Sequence, residues 1–164
     1  MFNFEQLLLG IPALLLAISV HEFAHGYAAY LLGDPTAKYQ GRLTLNPLAH
    51  LDPIGAIMLL VFRFGWARPV PINPSYFKNR RHGTIIVSLA GPVSNILMAW
   101  IFYNLVRIVP NYMPTLALAR TMYLFLLINL QYNIGLAAFN LLPFPPLDGS
   151  KVVASLLPPR LGYS

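Results

Sequence analysis

Apolar residues in this chain run together rather than alternating with polar ones. Three runs stand out, at residues 7–32, 84–109 and 116–142, each 26 or 27 residues long. A helix needs roughly 20 apolar residues to cross a bilayer core, so each is expected to be a transmembrane helix. A fourth run, residues 54–62, has only nine residues. That is too short for a helical crossing, so it is expected to re-enter the membrane or lie at its interface. Between the first and second long runs, residues 38–45 read KYQGRLTL. Their β-type residues and partial alternation predict a strand or hairpin with a glycine at a bend. The stretch 68–74, RPVPINP, carries three prolines and must be extended. The fold expected is an all-α polytopic membrane protein. It has at least three transmembrane helices, a short re-entrant or interfacial segment, and a small β element.

Composition supports this reading and narrows it. Only 10% of the 164 residues are charged, against about a quarter in a soluble domain, and the mean hydropathy is +0.60. The length allows one domain, so residues 1–164 are expected to form a single membrane-embedded core. The net charge is +6, but its distribution argues for membrane orientation rather than nucleic-acid binding. The long loop holds Lys38, Arg42, Arg63, Arg68, Lys78, Arg80 and Arg81, and the tail adds Lys151 and Arg160. Only Arg107 and Arg120 lie on the other side. By the positive-inside rule the loop and tail face the cytoplasm. The N-terminus lacks the basic segment of a signal peptide, so the first span is expected to be retained. There is no cysteine, so a metal must be held by histidine and carboxylate.

The chemistry lies inside the first span, in His21-Glu22-Phe23-Ala24-His25. Residues four apart share a helix face, so His21 and His25 can bind one ion. Glu22 can then reach a water beside it. A charged residue in mid-span costs about 2.5–3.5 kcal/mol. Two histidines and a glutamate together in an otherwise apolar helix therefore mark a functional site. A catalytic zinc takes three protein ligands and an open position. Downstream only Asp34, Asp52 and Asp148 are acidic, and spacing alone does not choose among them. Asp52 precedes a proline and Asp148 precedes a glycine, which are also turn patterns.

Three motifs together resemble the site-2 proteases, the intramembrane zinc metalloproteases, in their compact prokaryotic type. They are HEFAH in the first span, LAGPVSN at residues 89–95, and NLLPFPPLDG at residues 140–149. The connecting stretches GRLTLNPLAHLDPIG and GWARPVPINP also look like that type. The resemblance implies His21, His25 and Asp148 as ligands of a Zn2+ ion, with Glu22 as general base. It implies supporting roles for Asn140, in the same run as Asp148, and for Asn95 near the metal. Gly91-Pro92 is expected to interrupt the second span, turning freed carbonyls toward a cavity. The reaction implied is peptide-bond hydrolysis in or near the transmembrane segment of another protein, in the cell membrane, with the site toward the cytoplasm. An extended substrate is expected to pair with the strand at residues 38–45. Compact relatives generally continue into further hydrophobic sequence, whereas this chain stops at Ser164. The competing reading is a non-catalytic membrane metal-binding protein, a sensor or transporter, which needs no glutamate beside the first histidine.

Overall fold

The computed structural model describes residues 4–62 and 66–157. Arg63, Arg160 and Ser164 lie outside the described residues. Three long helices dominate: α1 (Phe4–Leu31), α5 (Arg80–Ile108) and α6 (Leu116–Asn140). All three are long and apolar enough to cross a membrane. The short helices are α2 (Thr36–Tyr39), α3 (Pro47–His50), α4 (Pro53–Phe62) and α7 (Asp148–Leu156).

The long helices pack against one another, and α7 packs on α5. Only 28, 39 and 22% of their most apolar stretches is buried within the protein. Most of that apolar surface faces outward, where lipid rather than a protein core must cover it. Several of the residues buried on these helices are small: Ala13, Ala17, Ala29, Ala99 and Ala137. In lipid, where no hydrophobic drive separates helix from solvent, close backbone approach through small residues is what favours packing. The chain is a multi-pass membrane protein.

Helix ends follow local chemistry. Asn79 caps α5 by accepting from the His82 N–H, and Thr115 caps α6 by accepting from the Leu118 N–H. At the end of α1, Gly33 takes φ +100°. Its N–H donates to Tyr30 O, and the Asp34 N–H reaches back to Ala29 O. That is a Schellman stop, which favours glycine at the left-handed position. The same device closes α2, where Gly41 has φ +66° and Arg42 N–H donates to Ala37 O.

This second stop corrects the expected β element. Lys38 and Tyr39 belong to helix α2, and Gly41 is a helix terminator rather than a strand bend. Alternation over eight residues was too weak a signal to outweigh a one-turn helix with a glycine stop. Among the described residues the only β pairing outside helices is a single antiparallel bridge, Leu51 to Ala67. Helix α4 has ten residues, about 15 Å at 1.5 Å per residue. That spans half of a core about 30 Å thick, which fits the expectation that it does not cross alone.

Candidate metal centre

His21 and His25 stand one turn apart on α1 and are only 6% exposed, as is Asp148. Asp148 starts α7, just after the loop that leaves α6. The loop and α7 bring its carboxylate back against α1 across 123 residues of sequence. His25 Nε2 lies 3.0 Å from Asp148 Oδ2, and His21 Nε2 lies 3.2 Å from it. The two Nε2 atoms are 3.0 Å apart. Three ligand atoms on a tetrahedral zinc, with bonds of 2.0–2.2 Å, stand about 3.3–3.6 Å from one another. The observed triangle is close to that face. The two imidazoles and the carboxylate are the donor types that zinc takes, and three of them leave a fourth position for reaction.

The outer nitrogens of the two rings are also fixed. His21 Nδ1–H donates to Asn95 Oδ1 at 2.6 Å, and His25 Nδ1–H donates to the Val87 carbonyl at 2.7 Å. With the proton on Nδ1, each Nε2 presents a lone pair to the shared point, the arrangement metal-ligating histidines use. Burial works against charge on Asp148. The charge of Lys151 favours the carboxylate. Lys151 Nζ donates to its other oxygen at 2.9 Å.

Gly91 makes room for this triangle. A Cβ built on it would collide with Nε2 of both His25 and His21. Gly149 is held as closely, against the Leu141 and Leu142 carbonyls. Helix α5 runs through Pro92 without a break, so the Gly-Pro pair does not divide the span as expected. Pro92 still has no N–H to offer the preceding turn, but the functional gain comes from the missing side chain of Gly91. Sequence reading had the right dipeptide and the wrong member of it.

Glu22 points to the loop side of the triad. Its Oε2 accepts from the Val70 N–H at 2.9 Å. Val70 lies in the proline-rich strap, which is anchored at several points. Arg68 N–H donates to His50 O. The Arg42 guanidinium reaches Arg68 O at 2.6 Å and Pro69 O at 3.3 Å. Asn73 N–H donates to Asp34 Oδ2 at 2.6 Å. Arg42 is 7% exposed. Burial and the neighbouring Arg68 charge push it below the ordinary arginine value, while Glu22 pulls the other way. A cavity of about 250 Å³ lies between strap and site, lined by Val70, Ile72, Thr84, Ser88, His25 and Asp148 among others.

The other acids have structural places. Asp34 is fully buried, and its Oδ1 accepts from the Thr36 N–H and hydroxyl. It ties the end of α1 to α2 and to the strap. Asp52 accepts from the Gly55 N–H and caps α4. Asn95 is fully buried. Its amide nitrogen donates to Ala17 O and Asn133 Oδ1, which engages both of its N–H groups. Asn140 donates to Leu136 O on its own helix. His50 serves turn packing, donating from Nε2 to Thr44 O. Sequence reading missed the Val70 contact and the buried Arg42 clamp. No local pattern marks a main-chain N–H as a partner of a distant glutamate.

A membrane-embedded His-Glu-x-x-His helix that meets a distant aspartate defines a metalloprotease of the membrane. The chain is 50% identical over 151 residues to YwhC of Bacillus subtilis, named as a zinc metalloprotease, covering 91% of this chain and 69% of that protein. It is 30% identical over 159 residues to the zinc metalloprotease Rip2 of Mycolicibacterium smegmatis, covering 93% of this chain and 59% of Rip2. It is 34% identical over 138 residues to the zinc metalloprotease MJ0611 of Methanocaldococcus jannaschii, covering 81% and 62%. No family model and no solved structure matches the chain. The chain belongs to the site-2 protease family of zinc metalloproteases that these relatives represent. Its cofactor is zinc, and His21, His25 and Asp148 form the group able to hold it.

Proposed function

We propose that the chain hydrolyses peptide bonds in or near the transmembrane segments of other membrane proteins. The observation that carries this reading is the meeting of His21 and His25, on a helix long enough to span the bilayer, with Asp148 beside Glu22. Zinc at the triad supplies Lewis acidity, polarising a carbonyl and making a water nucleophilic at neutral pH. The remaining work falls to the chain itself. Glu22 takes the proton of the attacking water and passes it to the leaving amine. The Val70 N–H holds one carboxylate oxygen, which leaves the other to act. Asn95 and the Val87 carbonyl fix the two imidazoles through their Nδ1 protons. Asn140 keeps the supporting role that its motif implies, through the turn that leads to Asp148.

The substrate proposed is an extended stretch of another protein's membrane segment, entering the cavity beside the strap. Helical hydrogen bonds shield carbonyls, so the substrate must unwind locally before attack. Charge supports a site that faces the cytoplasm. Among the described residues, Lys38, Arg42, Arg68, Lys78, Arg80, Arg81 and Lys151 lie on the loop and tail side, against Arg107 and Arg120 on the other. Replacing Glu22 by Gln leaves zinc bound and abolishes cleavage of a membrane substrate in detergent or vesicles. Undiminished cleavage by that variant removes Glu22 from the mechanism. Zinc bound by a chain that cleaves no membrane protein under any condition favours the sensor or transporter.

A further inference from the structure

We propose that Asn133, on α6, is a positioning residue that sets the tautomer of His21 through Asn95 and thereby the affinity of the metal centre. Asn129, Asn133 and Asn95 are all fully buried in the helix bundle. Buried amides in a membrane span are expensive unless paired, and the amides of Asn133 and Asn95 form a directed chain that starts at the main-chain carbonyl of Asn129. Its direction is set by main-chain carbonyls, which can only accept.

The Asn133 amide nitrogen donates to the Asn129 carbonyl at 2.9 Å. Its Oδ1 must therefore be the end that faces Asn95, where it receives the Asn95 amide nitrogen at 2.8 Å. The same nitrogen donates to the Ala17 carbonyl at 3.2 Å. With its nitrogen committed twice, Asn95 can present only Oδ1 to His21, at 2.6 Å. An oxygen there requires the proton on His21 Nδ1. That leaves the Nε2 lone pair free toward the metal. An Asn95 amide turned over would instead offer an N–H and place the proton on Nε2, where it blocks ligation. The Ala17 contact alone is the longer of the two restraints, so Asn133 is the group that holds the amide in register. The chain joins α6 to α5 to α1, so helix packing and metal affinity are linked through one set of hydrogen bonds.

The test measures zinc affinity of the purified full chain in detergent, by competition with a chelator. Substituting Asn133→Leu keeps the side-chain size and removes the acceptor. It is expected to weaken zinc binding by about 10- to 100-fold, the usual effect of losing an outer partner of a metal-bound histidine. Asn129→Leu, which leaves the Asn129 carbonyl in place, is expected to keep the parental affinity. A double variant Asn95→Ala with Asn133→Leu is expected to bind no more weakly than Asn95→Ala alone, because Asn133 acts only through Asn95. Parental affinity in Asn133→Leu, or multiplied losses in the double variant, overturns the proposal. If Asn133→Leu does not fold, Asn133→Asp decides. It keeps the acceptor oxygen, so retained zinc affinity supports the relay and its loss refutes it.

Discussion

Gly91 shows how a single atom's absence builds the site. Its missing Cβ is the space in which the His21 and His25 Nε2 atoms meet. Gly91→Ala places a methyl group on both. We expect this variant to insert and fold but to lose zinc and cleavage together, read by zinc content per chain. Glycine also costs an α-helix about 1 kcal/mol relative to alanine, so its presence in mid-span has a reason in the opposing rings. At this scale the sequence was legible where chemistry is dense. His21, Glu22 and His25 declared themselves by spacing and by the cost of polar groups in a span. Asp34, Asp52 and Asp148 were equivalent by spacing, and only their folded surroundings separate them. Asp34 answers three donors from Thr36 and Asn73. Asp34→Ala removes the acceptor of these three donors, and hydrogen bonds to a charged group contribute about 1.5–3 kcal/mol each. A lowered melting temperature with zinc content unchanged is the expected result.

Among the elements, the strap at residues 68–74 deserves the closest test. Three prolines forbid helix, and that much the sequence dictated. Its partners did not follow from sequence, because they are carbonyls and N–H groups contributed by distant segments. Arg42 was counted as a loop charge, yet it is buried and clamps the strap's carbonyls. Val70 then offers its N–H to Glu22. Proline at position 70 suits an extended strap and deletes that donor. Hydrogen bonds to charged groups contribute about 1.5–3 kcal/mol, so Val70→Pro is expected to lower kcat by about 10- to 100-fold while zinc stays bound. An unchanged kcat would show that the contact does not hold the catalytic carboxylate. The three long helices were readable from their runs of apolar residues to within a few positions. The shortest were not: α2 and α3 have four residues each, and elements that small are set by caps and neighbours more than by pattern.

For the whole molecule, the charge asymmetry makes an orientation claim open to direct test. The chain has no cysteine, so single introduced cysteines report cleanly. A membrane-impermeant thiol reagent applied to intact cells is expected to label Asn111→Cys and to spare Lys78→Cys until the membrane is opened. The opposite pattern reverses the assignment of the site to the cytoplasmic side. The chain spans 69, 59 and 62% of the length of YwhC, Rip2 and MJ0611, and all the residues of the triad lie within it. The arrangement explains why the triad comes from two ends of the chain. The first span supplies two imidazoles a turn apart, and α7 returns the carboxylate, with α5 packed between them through Gly91.

The central claim is that His21, His25 and Asp148 together hold one zinc ion. Zinc per chain in the detergent-purified protein and its Asp148→Ala variant tests it most directly. One zinc in the parent and a large loss in the variant is the predicted result. Equal zinc in both would contradict it.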